Sequence, residues 1–276
     1  MTLRLVRGRS LAFGRVPLIM GIVNVTPDSF SDGGVHYDRE RAVDAALRME
    51  QDGAAIVDVG GESTRPGSDA VDADTELDRV IPVIEAIRER SDVPISIDTT
   101  KARVAEAALD AGADIVNDVT ALRGDPAMRP LAARRGVPVV LMHMRGAPKT
   151  MQQDIRFDDV VCDVGRELTE FRDAAIAAGV AREQIVVDPG IGFGKTGEHN
   201  LQLLARAGEL TKIAPLMIGA SRKAFIGHLT GRDAGPERMA GSLAAVCAAA
   251  RAGAAIVRVH DVRETADFLK VMDAIR

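Results

Sequence analysis

The sequence predicts an α/β chain folded as a (β/α)8 barrel, and three observations favour this class. Short runs of β-branched and other apolar residues alternate with Ala-, Glu- and Arg-rich segments of helical period, eight times within 276 residues. A polar residue stands at or near the end of each predicted strand. Helix ends favour glycine, and glycine follows five of the predicted helices, at Gly53, Gly112, Gly136, Gly179 and Gly253.

The elements follow one another without a repeat of fixed length, which favours a closed barrel over a solenoid. Strands are predicted at residues 18–25, 55–59, 95–98, 115–117, 137–142, 185–188, 216–219 and 256–259. Helices are predicted at residues 39–51, 75–90, 103–111, 127–135, 158–178, 200–212, 236–251 and 263–275. We expect residues 1–16 to form a short strand pair under the bottom of the barrel. The chain is expected to be one domain, residues 1–276, because barrels of this length commonly are.

A doubly wound open sheet is the alternative architecture, but it wants a Gly-x-Gly-x-x-Gly turn after the first strand. The first strand is instead followed by Thr-Pro-Asp. The glycine-rich segment 190–196 resembles a phosphate-binding P-loop. That pattern requires glycine at position 189, where this chain has Pro189. We therefore expect no nucleotide site of this kind.

Composition excludes several classes of protein. The net charge of −5, from 35 basic and 40 acidic residues, gives no basic footprint for nucleic acid. No apolar stretch is long enough to span a membrane, and the N-terminal segment does not have the pattern of a signal peptide. The two cysteines, Cys162 and Cys247, lack the spacing of a metal or redox site. We expect a cytoplasmic protein with inert thiols.

The polar residues at the strand ends predict a ligand site, because in a barrel the carboxyl ends of all strands meet at one mouth. They are Asn24, Asp58, Asp98, Asn117, His143, Asp188, Ser221 with Lys223, and Arg258 with His260. Buried polar groups are costly unless they are paired. Asp98, Asn117 and Asp188 suit a flat heterocycle with several N–H donors. Cationic donors suit phosphate oxygens, and they are Arg65, Lys223, Arg258 and His260.

Two long loops near the mouth have the composition of lids. Residues 26–37 carry Phe30 and Asp32 among glycines, and residues 60–68 carry Glu62 and Arg65. For Glu62 the sequence leaves open whether the carboxylate is catalytic or only a local structural partner.

Eight segments in order give the chain a resemblance to the dihydropteroate synthase family, from about residue 17 to the C-terminus. They read GIVNVTPDSFSDGG (21–34), GGESTRPG (60–67), IDTTK (97–101), NDV (117–119), LMHMRG (141–146), DPGIGFGK (188–195), SRK (221–223) and RVHDV (258–262). The resemblance implies a barrel that condenses 7,8-dihydropterin-6-ylmethyl diphosphate with 4-aminobenzoate in folate biosynthesis. It also implies Mg2+ as cofactor, a homodimer, and sulfonamides as inhibitors.

The same resemblance assigns site residues by motif position. The pterin ring would be held by Asp98, Asn117, Met142, Asp188, Phe193, Lys223 and Arg258. The diphosphate would be held by Asn24, Thr64, Arg65, Arg258 and His260, with Asn24 also at the Mg2+. The aminobenzoate would be bordered by Phe30, Pro66, Ser221 and Arg222. The catalytic residues would be Asp32, Thr64, Arg65 and Lys223, acting on a reaction in which diphosphate leaves first.

One residue departs from the family pattern. Many members have serine after the Ser-Arg-Lys lysine, and this chain has Ala224. Activity is expected to survive, because backbone N–H groups at a helix start can take over an anion contact. His143 is interpreted as a satisfied buried histidine rather than a base. Two alternatives stay open: a pterin-binding methyltransferase domain, and a non-catalytic paralogue that binds pterin or only dimerises.

Overall fold

Eight parallel strands build the barrel. The computed structural model describes residues 1–26, 35–63, 68–146, 149–233 and 235–275, with the side chains of 7 and 35–38 excepted. Within these residues the barrel strands are β3 (Leu18–Asn24), β4 (Ile56–Gly60), β5 (Ile95–Asp98), β6 (Ile115–Asp118), β7 (Val139–Met142), β8 (Ile185–Asp188), β9 (Met217–Ile218) and β10 (Ile256–Val259). Their order in the sheet is β8-β7-β6-β5-β4-β3-β10-β9. A parallel bridge between Val187 and Leu216 joins the two ends, so the sheet closes as predicted.

Helices follow the strands and cover the outside of the barrel. They are α1 (Val35–Gln51), α2 (Ala73–Arg90), α3 (Ala102–Ala111), α4 (Met128–Arg135), α5 (Val160–Ala177), α6 (Gly197–Ala205), α7 (Ala207–Leu210), α8 (Ala224–Thr230), α9 (Met239–Arg251) and α10 (Val262–Ile275). Asp72 caps α2 by accepting from the Thr75 N–H at 2.8 Å. Gly136 ends α4 with a φ of 62°, which glycine adopts without steric cost. No helix among the described residues is both long and apolar enough to cross a membrane.

The predicted helix over residues 200–212 is wrong in one respect, because the structure divides it. The helix α6 ends at Ala205, and α7 begins at Ala207. Arg206 leaves the helical conformation, with φ −109° and ψ 16°. Its guanidinium is bound by Asp159, which caps α5, at 2.8 Å, and by Glu209. This contact between distant segments is not visible in a helical period.

The expected N-terminal strand pair is confirmed. The strands β1 (Thr2–Arg4) and β2 (Ser10–Ala12) are antiparallel. Gln184, just before β8, fixes β1 by accepting from the Arg4 N–H at 2.9 Å and donating to the Arg4 carbonyl at 2.6 Å. Leu3 and Leu5 pack against inward side chains from the starts of the barrel strands, which are Met20, Ile56, Ile115, Val140, Val186, Met217 and Ile256. The pair therefore closes the bottom of the barrel.

The strands bury apolar residues on both faces, as parallel strands do. The outward residues, such as Val57, Val59 and Ile97, pack with the helices in the larger core. The inward residues are apolar only in the lower half of the barrel. Two positions further along four of the strands, the inward residue is polar: Asp58, Asn117, Asp188 and Arg258 follow Ile56, Ile115, Val186 and Ile256. The fold thus places a polar layer above an apolar one.

Candidate active site

Arg258 organises the polar layer inside the barrel. Its Nε donates to Asp58 Oδ2 at 2.6 Å, and its Nη2 donates to Asp98 Oδ2 at 2.8 Å. Asn117 Nδ2 donates to the same Asp58 oxygen at 3.1 Å. The strands β10, β4, β5 and β6 are therefore joined by one network that crosses β3. Two acidic side chains, an amide and a guanidinium, predicted separately at strand ends, lie within hydrogen-bonding distance of one another.

The electrostatics of this network follow from its burial. Burial raises the pKa of Asp98 to about 7, against the attraction of Arg258 and with further support from the neighbouring Asp58 charge. For Arg258, burial opposes the charged form, but the carboxylates of Asp58 and Asp98 prevail and raise its pKa above the ordinary value. Arg258 therefore stays charged, and its attraction opposes the protonation of Asp98 that burial favours.

Asp58 and Ser96 leave hydrogen-bonding capacity unused on the inner face. Both side chains are fully buried and lie opposite each other on β4 and β5. Asp58 Oδ1 and Ser96 Oγ have no hydrogen-bond partner among the described residues. Polar atoms in such a position are commonly satisfied by water or by a ligand.

Asp188 is the second acidic group of the mouth. It ends β8, is 4% exposed, and accepts from the Gly190 N–H at 2.7 Å through Oδ1. Burial raises its pKa, while the Gly190 hydrogen bond and the charges of Lys223, Arg258 and Lys195 act in the opposite direction. Its carboxylate thus lies among donors and cations, where an N–H donor of a ligand would find an acceptor.

Lys223 and Phe193 form a wall beside Asp188. The Lys223 Nζ lies 4.2 Å from the centre of the Phe193 ring, within the range of a cation–π interaction. A side chain at Gly192 would press on the aliphatic part of Lys223. Phe193 packs with Val119, Met142, Met144 and Met151. Met142 is the inward residue at the end of β7, so the predicted pair of apolar walls, Met142 and Phe193, lies in one cluster.

Ser221 and His260 bring the ends of β9 and β10 together. Ser221 Oγ lies 3.0 Å from His260 Nδ1 and accepts from the His260 N–H at 3.2 Å. Burial, with the charges of Arg222 and Arg258 next in size, lowers the pKa of His260 to about 3. His260 is therefore neutral at physiological pH, and it differs here from the cationic donor that the sequence suggested. In the tautomer in which Nδ1 accepts a hydrogen bond from the Ser221 hydroxyl, His260 offers Nε2–H as a donor.

The side chain, the N–H and the carbonyl of Arg222 all form hydrogen bonds. Its guanidinium pairs with Asp261, with Nε donating to Oδ2 at 3.1 Å. Its N–H donates to Ser242 Oγ at 2.9 Å, and its carbonyl accepts from Arg238 at 3.1 Å. The backbone has a φ of 58°, which is strained for a residue with a side chain. These bonds hold the turn between Ser221 and Lys223, from which α8 begins.

His143 lies outside the mouth, which differs from the expected convergence of all strand ends. The inward residue at the end of β7 is Met142, so the next residue points out towards α5. There His143 is fully buried and its Nε2 lies 3.0 Å from Glu167 Oε2. The interpretation of His143 as a satisfied buried histidine is confirmed.

Glu62 has structural partners. Lys101 Nζ donates to Glu62 Oε2 at 2.5 Å and to Glu76 Oε2 at 2.6 Å. Glu62 Oε1 also accepts from the Val71 N–H at 3.3 Å. Of the two roles that the sequence left open, the contacts favour that of a local structural partner. The other predicted residues of the two loops, Phe30, Asp32, Thr64, Arg65 and Pro66, lie outside the described residues.

Asn24 ends β3 at the rim of the mouth. Its side chain is half-buried. The described residues contain no cluster of three His, Cys, Asp or Glu side chains that could hold a metal by itself. Mg2+ in phosphate-transfer sites commonly takes only one or two protein ligands and completes its shell with water and substrate phosphates. The side-chain oxygen of Asn24, at the end of β3, fits that kind of binding.

Ser96 and Asp261 were not among the residues predicted from the sequence, and Asp58 was predicted at a strand end without an assigned ligand. The sequence position of Asp58 indicates an inward-facing polar residue, because it stands two positions after the inward Ile56 on an otherwise apolar strand. The position of Ser96 is also informative, because it is the single hydroxyl residue in β5. Nothing in the sequence marks Asp261 as a site residue, since a charged residue just after a strand is ordinary.

Comparisons with known proteins agree with this geometry. Residues 20–260 match the model of the family described as pterin binding enzyme. The dihydropteroate synthase of Escherichia coli (strain K12) is 50% identical over 260 residues, covering 94% of this chain and 91% of that protein.

Two solved structures from Xanthomonas albilineans have the same fold. The dihydropteroate synthase with 4-aminobenzoic acid is 48% identical with a TM-score of 0.93, covering 99% of this chain and 97% of that one. The same enzyme in complex with 7,8-dihydropteroate is 45% identical with a TM-score of 0.90, covering 100% and 98%. This chain belongs to the pterin-binding enzyme family and, within it, to the dihydropteroate synthases.

Proposed function

We propose that the chain condenses 7,8-dihydropterin-6-ylmethyl diphosphate with 4-aminobenzoate to give 7,8-dihydropteroate and diphosphate, a step of folate biosynthesis. The observation that carries the proposal is the inner layer of the mouth, where acceptors for a heterocycle and donors for phosphate lie side by side. Family membership supports it, as do relatives solved with 4-aminobenzoic acid and with 7,8-dihydropteroate.

The pterin ring lies, in this proposal, among Asp98, Asn117 and Asp188. Ionised carboxylates accept strongly from ring N–H groups in a buried site. Met142 and Phe193 form the apolar walls against the flat ring. The Lys223 ammonium, close to Phe193, donates to a ring acceptor, and the guanidinium of Arg258 lies against the ring. The ion pairs of Arg258 with Asp58 and Asp98 support this placement, because they hold the guanidinium at the mouth.

The diphosphate lies above the pterin at the rim. Asn24, Arg258 and the neutral Nε2–H of His260 bind its oxygens, with Thr64 and Arg65 closing over it. Asn24 also contributes the protein ligand to Mg2+. When bound, Mg2+ neutralises charge on the departing diphosphate.

The aminobenzoate binds last, against Ser221 and Arg222 and between Phe30 and Pro66. The support for Ser221 and Arg222 is the rigid turn that holds them, with Ser221 bound to His260 and Arg222 to Asp261. Ala224 opens α8 directly after this turn.

The reaction begins when the bond between the pterin methylene carbon and the diphosphate oxygen breaks, and the electron pair leaves with diphosphate. Cationic donors from Arg65, Lys223 and Arg258 favour this step because negative charge gathers on the leaving oxygens. Asp32 stabilises the methylene cation, and Thr64 helps to hold the leaving group. The aniline nitrogen then forms the new C–N bond and loses one proton to solvent. No side-chain nucleophile is needed.

The purified protein with both substrates and Mg2+ tests the proposal, with dihydropteroate measured by chromatography and diphosphate by a coupled assay. We expect equal amounts of the two products, and no dihydropteroate without 4-aminobenzoate. Folded protein that binds a pterin but makes no product at any Mg2+ concentration would favour a non-catalytic paralogue instead.

We also propose a homodimer in the cytoplasm. Large apolar side chains are exposed on the neighbouring helices α6, α9 and α10, at Leu201, Met239, Val271 and Ile275. Both cysteines are free thiols, which suits a reducing compartment. Light scattering after gel filtration is expected to give twice the 29.3 kDa of one chain. A single-chain mass at working concentration would contradict the dimer.

A further inference from the structure

A buried lysine lies behind the mouth and takes no part in the reaction as described. Lys195 is the last residue of the segment 188–195 and comes just before the cap of α6. It is only 3% exposed. Lysine is almost never buried to this extent unless its charge has partners. Its position therefore calls for a role.

All three hydrogens of the Lys195 ammonium have an acceptor nearby. Nζ donates to the Phe193 carbonyl at 2.9 Å and to the His143 carbonyl at 3.3 Å. It also lies 3.0 Å from His143 Nδ1. The first acceptor belongs to the loop after β8, and the other two belong to the end of β7. One side chain thus joins the loop to the neighbouring strand.

His143 contacts Lys195 on one side and a carboxylate, that of Glu167, on the other. Its Nε2 lies 3.0 Å from Glu167 Oε2 on α5, and Glu167 also accepts from Arg145 Nε at 3.0 Å. The hydrogen bond from His143, with that from Arg145, lowers the pKa of Glu167 to about 2, so it is ionised. Burial lowers the pKa of His143 to about 4, so the ring is neutral. Nε2 therefore holds the ring proton and donates to Glu167, and Nδ1 is left to accept from Lys195.

The loop that Lys195 holds is the one that carries Phe193. It leaves β8 at Asp188 and passes so close to β7 that a methyl group on Gly190 would overlap the His143 carbonyl oxygen. Phe193 then packs on Met142 and lies under the Lys223 ammonium. Gly190 donates its N–H to Asp188. The position of this loop thus determines where a pterin wall and a pterin acceptor lie.

The charge of Lys195 also acts on Asp188. It is one of the charges that oppose the rise in the pKa of Asp188 caused by burial. In return, Asp188 and Glu167 favour the charged lysine, although burial lowers its pKa to about 7.

We propose that Lys195 is a positioning residue for the pterin site, acting through a Lys195–His143–Glu167 relay that fixes the loop after β8. The inference rests on the proposed function, because it presumes that the mouth binds a pterin. Lys195 itself touches no substrate. Its loss should therefore affect pterin binding and leave the aminobenzoate step almost unchanged.

The test compares Lys195→Met, which keeps the length of the side chain and removes its charge, with Lys270→Met on the exposed face of α10. Calorimetric titration with 6-hydroxymethylpterin and the KM for 4-aminobenzoate are measured for both variants. A misplacement of about 1 Å can cost an enzyme roughly 100-fold in rate, and we expect a loss of pterin affinity of up to that order. We expect pterin affinity to fall roughly 10- to 100-fold in Lys195→Met, the KM for aminobenzoate to stay within about threefold, and Lys270→Met to match the unmodified protein.

Asp188→Ala in the same titration separates the two claims. Loss of pterin binding in Asp188→Ala but not in Lys195→Met would overturn the role of Lys195 and leave the proposed function intact. No change in either variant would overturn both. An aminobenzoate KM that rises as much as the pterin dissociation constant would mean general damage to the barrel, and it would also overturn the proposal.

If Lys195→Met does not fold, two further measurements test the role of Lys195. In protein labelled with ¹⁵N-histidine, His143 is expected to show a protonated Nε2 and an unprotonated, hydrogen-bonded Nδ1 between pH 6 and 8. Glu167→Gln keeps the shape of the relay and removes its negative charge. It should weaken pterin binding in the same direction but by less. An imidazolium, a protonated Nδ1, or full pterin affinity in Glu167→Gln would contradict the relay.

Discussion

Arg258 on the last strand donates to Asp58 on the second barrel strand at 2.6 Å, across the inside of the barrel. The same Asp58 oxygen accepts from Asn117. Asp58 therefore holds a cation and an amide that both belong to the proposed pterin site, although the sequence predicted it only as a strand-end residue without an assigned ligand. Removing one partner of a buried pair is costly because the other charge is left unpaired.

Asp58→Ala is expected to lower the free energy of unfolding by about 3–5 kcal/mol, since Arg258 and Asn117 lose a buried acceptor. Asp44→Ala is the control, because Asp44 pairs with Arg90 at 3.4 Å with both side chains exposed. The control should cost about 0–1 kcal/mol. Urea unfolding measures both, and equal losses would mean that Asp58 is not paired in solution.

The pH dependence of stability should reveal Asp98. Its pKa is raised to about 7 in the folded protein from 3.8, so between these values the folded state holds a proton that the unfolded chain has lost. Stability from this group is therefore full below about pH 4 and declines as the pH rises towards 7. Urea unfolding between pH 4.5 and 8 should show a decline that is smaller in Asp98→Asn. Parallel curves would mean that Asp98 titrates at an ordinary pKa.

Gly190→Ala should damage the loop that carries Phe193. Gly136→Ala is a matched control, because both glycines have a positive φ, 68° and 62°, but only Gly190 has a backbone oxygen where the methyl group would go. The control is expected to lose about 1–2 kcal/mol from backbone strain alone. Gly190→Ala should lose more and should also weaken pterin binding. Thermal unfolding and pterin titration measure the two effects, and similar behaviour of the variants would refute the close approach to His143.

Much of the fold could be predicted because each strand is short and apolar and ends at a polar residue. The strands β5, β8 and β10 have the predicted bounds, and β3 differs by one residue. The inward positions of Asp58 and Arg258 follow from their spacing of two from Ile56 and Ile256. His143 could not be placed in this way, because the predicted strand left open whether Met142 or His143 faces inward.

The partners across the barrel could not be predicted, because they depend on the register between strands far apart in the chain. Arg258 meets Asp58 and Asp98 only after the closure of the sheet brings β10 beside β3. The Arg222–Asp261 pair and the break at Arg206 depend in the same way on contacts between distant segments. Local pattern supplies the candidate groups, and tertiary packing decides which of them bind one another.

Calorimetric titration of Asp188→Ala with 6-hydroxymethylpterin tests whether the barrel mouth binds a pterin through Asp188. Asp110→Ala, which changes an exposed residue of α3, serves as the control. Loss of the carboxylate leaves buried ring donors unpaired, which costs about 1–3 kcal/mol or more. This cost corresponds to an affinity that is weaker by roughly 5- to 150-fold or more. We expect this loss in Asp188→Ala and an unchanged affinity in the control. Pterin affinity in Asp188→Ala within about threefold of the unmodified protein would contradict it.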